Sequence, residues 1–141
     1  NPKENTAATS VIGSGILTVE ETNNYDFGTI SMAAGKVKRI FKIKNTGDEA
    51  VIINKIYTSC MCTTATLTNE GEIFGPYSMP GHGAIPKINQ VVNSGEETVV
   101  EVVFDPAAHG PAGIGKIQRT VTIENNAGEP MELSFLAVVA P

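Results

Sequence analysis

The chain has 141 residues, of which 41% are hydrophobic and 18% charged, and it carries a net charge of −5 with a pI near 5.0. The length fits one domain with its own core, and the composition excludes an intrinsically disordered chain. Nucleic acid and anionic lipid both require a basic surface, so the acidic balance excludes them as principal partners. The longest apolar run is also far too short to predict a membrane span.

The chain begins with a polar segment over residues 1–14, which is predicted to be a linker. One domain is predicted over residues 15–141. The opening segment has no apolar run typical of a signal peptide, as expected for a mature or trimmed form from which an export signal has been removed.

The hydrophobic pattern is typical of an all-β protein. Runs rich in Val, Ile, Thr and Phe alternate with turn residues, and no segment keeps a helical period for three turns. Seven strands are predicted, over residues 15–20, 25–30, 36–45, 50–58, 97–104, 117–123 and 131–139. This spacing favours an antiparallel immunoglobulin-like β-sandwich of about seven strands.

One long loop interrupts this pattern. The 28 residues from Asn69 to Glu96 show little alternation and contain five Gly, three Pro and one His. Loops of this length in a compact domain are usually functional or disordered. This segment is therefore a candidate location for functional side chains.

The clearest strand places lysines on one face, at positions 36, 38, 42 and 44, and Lys55 follows on the next strand. In an acidic protein this pattern favours a solvated sheet face or a charged edge that discourages strand pairing. A surface for an anionic partner is the alternative interpretation.

Four motifs occur in a characteristic order: Asp26-Phe27-Gly28-Thr29-Ile30, Asn45-Thr46-Gly47-Asp48, Ser59-Cys60-Met61-Cys62-Thr63-Thr64 and Phe104-Asp105-Pro106. In this order they resemble the bacterial family known as domain of unknown function 1573, which is related to the Hydin-like and major-sperm-protein-like immunoglobulin sandwiches. The resemblance implies that fold and an exported location, and it implies no catalytic activity. That family usually has Cys-Gly-Cys where this chain has Cys60-Met61-Cys62, and its loop is shorter and lacks Met79-Pro80-Gly81-His82.

Cys60 and Cys62 are the only cysteines, and they follow the strand predicted over residues 50–58. Side chains two residues apart on a strand point to the same face, so both sulfurs converge. The pair has three outcomes: buried free thiols, a strained redox-active bridge, or a chelating pair for a soft metal. The spacing alone leaves all three open.

Met79-Pro80-Gly81-His82 in the long loop supplies two further metal donors. Pro and Gly at the central positions predict a type II turn, which brings Met79 and His82 together. Thiolate, thioether and imidazole groups suit copper, above all Cu(I). If the loop folds back over the strand end, Cys60, Cys62, Met79 and His82 form one metal site.

Met61 is a reserve ligand in this prediction, because it points to the opposite face of a regular strand. His109 is the only other imidazole, and it either approaches the site or is solvated. The alternative is packing alone, with two small buried cysteines, Met79 as an apolar plug and His82 as a polar turn residue.

Recognisable catalytic motifs are absent from the sequence, which predicts a protein that is not an enzyme. The first hypothesis is an exported binding domain with a copper site. The alternative is a metal-free protein-interaction or structural module with a protein partner in the cell envelope. A thiol-redox role is the third hypothesis.

Overall fold

The computed structural model describes residues 15–81 and 84–141. Its ten strands are β1 (Leu17–Val19), β2 (Asn24–Ser31), β3 (Val37–Asn45), β4 (Val51–Thr58), β5 (Thr63–Asn69), β6 (Glu72–Tyr77), β7 (Gln90–Val92), β8 (Glu97–Phe104), β9 (Gly115–Asn125) and β10 (Met131–Ala140). Two short 3₁₀ helices span Met32–Ala34 and Gly110–Gly113. The predicted polar linker over residues 1–14 lies outside the described residues.

The strands form two five-stranded sheets, in the orders β1-β3-β8-β5-β6 and β2-β10-β9-β4-β7. Two sheets packed face to face give the immunoglobulin-like sandwich, so the predicted fold class is confirmed. Two details of the prediction are wrong. The strand number is ten rather than about seven, and β2 pairs with β10 in parallel, so the second sheet is mixed.

The predicted long loop is also shorter than expected. Residues 69–96 include β6 and β7, and the remaining connection runs over residues 78–89. β6 lies at a sheet edge, and β7 has only three residues. No residue of β6 is fully buried, and β7 is too short to show a period, so neither segment shows the alternation on which the prediction depended.

The core lies between the sheets and follows the alternation of the strands. In β3, Phe41 and Ile43 are buried, whereas Lys38, Ile40 and Lys42 are exposed. The largest fully buried side chains are Phe135, Ile43, Ile53, Ile56, Leu67, Ile123, Leu133, Val51, Val92, Val100, Val102 and Val121.

Two of the connections that pass between the sheets lie at the same end of the sandwich and meet there. Residues 59–62 connect β4 in one sheet to β5 in the other, and residues 105–114 connect β8 back to β9. We call this end the crossover end. The two connections are far apart in sequence, but the sandwich places them side by side.

Candidate functional site

Cys60 and Cys62 lie in a tight turn at the crossover end, rather than at the end of a regular strand as predicted. The backbone N–H of Thr63 donates to the carbonyl of Cys60 at 3.1 Å, which closes the turn. The two cysteines form a disulfide, and their Cα atoms are 5.2 Å apart, within the normal range for a bridge. In a regular strand, residues two apart would be separated by about 6.6 Å. The turn therefore brings the two residues closer together than a regular strand would.

A buried hydroxyl holds the two arms of the turn together. Thr58, which is 2% exposed, donates from Oγ1 to the carbonyls of Cys60 and Thr63 at 2.8 and 2.9 Å. On the other side, the backbone N–H of Asp105 donates to the carbonyl of Cys62 at 2.9 Å. The second crossover is thus hydrogen-bonded directly to the disulfide turn.

His109, on the second crossover, supplies an imidazole to the disulfide. Its Nε2 lies 3.1 Å from Sγ of Cys60. Asp105 shapes this loop, because its carboxylate accepts from the backbone N–H of Ala107 at 3.0 Å. The donor atoms of Cys60, Cys62 and His109 all lie within 4.8 Å of one another. The sequence left the position of His109 open, and the structure places it at the site.

Arg119 on β9 approaches the other sulfur, and sequence reasoning missed it. Its Nε donates to Sγ of Cys62 at 3.4 Å, and its Nη1 donates to the carbonyl of Gln118 at 2.9 Å. The signal was present in the sequence, since Arg119 interrupts the apolar series Ile117, Val121 and Ile123. A cation at an inward-facing position of a strand requires a partner, and here it reaches a sulfur.

The loop that carries Met79 does fold back to the strand end. The backbone N–H of Thr58 donates to the carbonyl of Ser78 at 3.1 Å, and Met79 and Pro80 line a shallow groove with Ser59. Gly81 has φ of 100°, close to the value that a type II turn requires at this position. His82 lies outside the described residues. The roles of Met79 and His82 as metal ligands stay predictions.

Met61, the reserve ligand, is at the tip of the disulfide turn and is 46% exposed. A thioether at such a position contacts solvent.

The predicted lysine face is partly neutralised and divided between the sheets. Lys38 forms an ion pair with Glu101 at 3.6 Å, and Lys44 lies opposite Glu97 on β8. Lys55 is on β4, in the other sheet. This arrangement is a solvated sheet face of mixed charge, the first of the two interpretations that the sequence offered.

The size of the disulfide ring limits its contribution to stability. The bridge joins residues two apart in sequence. In the chain-entropy model a ring of this size contributes about 1.5 kcal/mol, against about 3 kcal/mol for a loop of fifteen residues. The disulfide is therefore a minor source of stability, and it lies between an imidazole and a guanidinium.

The segment containing the disulfide turn also carries the family match. Residues 17–75 match the model of the family described as protein of unknown function (DUF1573). The matched segment contains the first three of the four motifs, and Phe104-Asp105-Pro106 lies beyond it. The family resemblance predicted from the sequence is confirmed over this segment. No curated protein matches the chain.

Solved structures share the fold at low sequence identity. A protein of unknown function from Porphyromonas gingivalis W83 matches with a TM-score of 0.66 at 14% identity, over 92% of this chain and 49% of that chain. The ASH/PapD-like domain 7 of human CEP192 matches with a TM-score of 0.54 at 12% identity, over 99% and 96% of the two chains. The second comparison aligns almost the whole of both domains.

A secreted serine protease, VesC from Vibrio cholerae, matches with a TM-score of 0.55 at 13% identity, over 89% of this chain and 24% of that chain. The chain thus spans about half the length of the Porphyromonas protein and about a quarter of VesC. At these identities the likeness concerns the fold alone.

Proposed function

We propose that this chain is an exported, non-enzymatic binding domain, and that its crossover end binds a soft metal ion, with Cu(I) favoured, when the cysteines are reduced. The supporting observation is the cluster of Cys60, Cys62 and His109, whose donor atoms lie within 4.8 Å of one another. Two thiolates and an imidazole are a donor set that suits Cu(I).

Metal binding at this site depends on the redox state of the two cysteines. A metal requires thiolates, and in the disulfide both sulfurs are bonded to each other. The oxidised domain is therefore metal-free in this proposal, and reduction creates the site. Met79 and His82 are proposed as additional donors from the loop that folds back at Ser78.

The exported location is supported by the disulfide itself, because disulfides persist mainly in oxidising compartments. Within the described residues, no helix has the length and apolar composition needed to cross a membrane. The proposal of a non-enzymatic role rests on the sequence, which has no recognisable catalytic motif, and VesC is matched over only a quarter of its length.

Competition for Cu(I) tests the metal proposal. The reduced protein is titrated anaerobically with Cu(I) against a chromogenic chelator, and we expect one equivalent to be withdrawn. Cys60→Ser/Cys62→Ser should abolish uptake, because no thiolate remains. Absence of uptake by the reduced wild type, or equal uptake by the double variant, would refute the proposal.

Two matched histidine variants identify the imidazole. His109→Ala should weaken Cu(I) binding by about tenfold or more, since even loss of a group that only supports a ligand typically costs about 10- to 100-fold. His82→Ala tests the ligand that the sequence predicted. If only His82→Ala lost Cu(I) affinity, the imidazole ligand would be His82 of the long loop rather than His109 of the second crossover.

A metal-free interaction module of the cell envelope is the second candidate. The closed disulfide supports it, together with Ile40 and Ile73, which are 48% and 70% exposed on the outer face of one sheet. Lys38→Glu/Lys42→Glu and Ile40→Asp should each reduce recovery of one specific envelope protein in a pull-down. If the variants bound the same set of proteins as the wild type, this face would be excluded as the binding surface.

A further inference from the structure

We infer that the Cys60–Cys62 disulfide is a thiol-exchange site, at which an external thiolate attacks Cys60 and Arg119 stabilises the departing thiolate of Cys62. This activity goes beyond the binding function proposed above and requires no metal. The co-reactant belongs to the class of low-molecular-weight or protein thiols.

Both cysteines are buried, and the slightly greater exposure of the Cys60 residue favours attack there. Cys60 is 8% exposed and lies beside the exposed loop residue His109. Cys62 is 3% exposed, and its sulfur is also within 3.3 Å of Oγ1 of Thr63. Since a thiolate must reach the sulfur that it attacks, Cys60 is the electrophile and Cys62 is the leaving group.

The charge next to the leaving group supports the same direction. Nε of Arg119 donates to Sγ of Cys62 at 3.4 Å. A guanidinium remains protonated in proteins, so it presents a permanent positive charge to the sulfur that gains negative charge as the bridge breaks. The Nη1 bond to the carbonyl of Gln118 helps to hold the guanidinium in place.

The reaction balances in two displacements. A first thiolate RS⁻ bonds to Sγ of Cys60, the S–S bond breaks, and its electron pair leaves on Cys62. A second RS⁻ then attacks the R-group sulfur of the mixed disulfide and releases RSSR and the Cys60 thiolate. The two external thiolates together lose two electrons, and the protein disulfide gains them.

Regiochemistry provides the first test. Oxidised protein, in a chelating buffer without metal, is mixed with 2-mercaptoethanol, quenched with an alkylating reagent and mapped by mass spectrometry. We expect the mercaptoethanol adduct on Cys60 and the alkyl group on Cys62. The adduct on Cys62 would overturn the inference.

The rate of reduction provides the second test. Arg119→Gln should slow reduction by about tenfold, because no cation then stabilises the thiolate that forms on Cys62 as the S–S bond breaks. Arg119→Lys should recover most of the rate, because it keeps the positive charge. Lys116→Gln, which removes an exposed cation from the same strand, is the matched control and should react at the wild-type rate.

The rate results separate a chemical role from a structural one. Equal rates in the wild type and Arg119→Gln, or a rate for Arg119→Lys as low as that of Arg119→Gln, would overturn the role of the charge. Urea denaturation of each variant checks that the fold is retained. Because these reactions contain no metal, failure of Cu(I) binding and failure of thiol exchange are observed separately.

Discussion

Asn45, a residue of the second motif, uses its buried side chain to connect three segments. Its Oδ1 accepts from the backbone N–H groups of Ile16 and Gly47 at 3.1 and 3.0 Å, and its Nδ2 donates to the carbonyls of Glu49 and Val92 at 2.7 and 2.9 Å. Asn45→Ala removes the partner of the buried Val92 carbonyl and of three partly buried backbone groups, and it should lower the free energy of unfolding by about 2–3 kcal/mol. Urea denaturation measures this loss.

Asn23→Ala is the matched control for that variant, because Asn23 is exposed. It should change the free energy of unfolding by less than about 0.5 kcal/mol. If Asn45→Ala were as stable as Asn23→Ala, the asparagine network would not contribute to folding.

The titration of Tyr57 makes the stability of the fold depend on pH in the alkaline range. Its hydroxyl donates to Oε2 of Glu124 at 2.9 Å, and this hydrogen bond, followed by burial and the charges of Glu124 and Glu132, raises the pKa of Tyr57 above 10.0. The folded state holds the proton more tightly than the unfolded state. The stabilisation is therefore present below the pKa of the unfolded chain and is lost as the pH rises through the folded pKa.

Tyr57→Phe removes this linkage, so the variant should lose less stability than the wild type between neutral pH and about pH 11. Thermal denaturation over this range measures the difference. Parallel loss of stability in both proteins would show that Tyr57 does not titrate differently in the folded and unfolded states.

Single residues of the candidate site were only partly predictable. The two cysteines were identified from their types and spacing, because both lie in one short segment. His109 is 49 residues from Cys60, and its contact depends on two crossovers meeting at one end of the sandwich. The alternation within one strand does not predict a contact between two distant connections. The position of Arg119 among apolar residues of one strand, by contrast, could have identified it as a site residue.

At the level of strands, the first motif forms a β-bulge between β2 and β10. The register shifts near Gly28, whose φ is 74°, and Oδ1 of Asp26 accepts from the backbone N–H of Gly28 at 2.8 Å. Gly28→Ala should cost about 1–2 kcal/mol, since a side chain disfavours the left-handed region. Asp26→Asn keeps the acceptor oxygen and should cost less than Asp26→Ala.

Chemical denaturation of the three variants tests the bulge. A Gly28→Ala protein with wild-type stability, or equal losses for Asp26→Asn and Asp26→Ala, would contradict this account of the motif.

The connection between β4 and β5 depends on one hydroxyl. Thr58→Val keeps the shape of the side chain and removes the donor to the carbonyls of Cys60 and Thr63. We expect a loss of about 0.5–1.5 kcal/mol, because each carbonyl loses one hydrogen bond but keeps another donor, the backbone N–H of Thr63 or the hydroxyl of Ser78. We also expect faster reduction of the disulfide, because the turn loosens. Unchanged stability together with an unchanged reduction rate would show that the hydroxyl does not hold the turn.

Seven of the ten strands were predicted from the sequence, and the three that were missed share a physical cause. The inward-facing residues of β5 include Thr63, Ala65 and Asn69, so the contrast between its faces is weak. β6 contains Gly75 and Pro76, which are typical of turns, and β7 has only three residues. Tertiary pairing, rather than local pattern, makes these segments strands.

At the level of the whole molecule, the fold should persist when the disulfide is reduced. The large buried side chains lie between the sheets and do not depend on the disulfide. The bridge joins cysteines only two residues apart, so it constrains little of the unfolded chain. Reduction should lower the free energy of unfolding by about 1.5 kcal/mol and leave the β-sheet signal intact. Circular dichroism and thermal denaturation with and without reductant measure this. Global unfolding on reduction would exclude a folded dithiol form and the proposed metal site with it.

We propose that the crossover end holds a closed disulfide that becomes a Cu(I) site when the bridge is reduced. The most direct measurement is Cu(I) uptake by one preparation in both redox states, with thiols counted in parallel. We expect no thiols and no uptake in the oxidised protein, and two thiols and one equivalent of Cu(I) in the reduced protein. Equal uptake in both states, or uptake in neither, would contradict the claim.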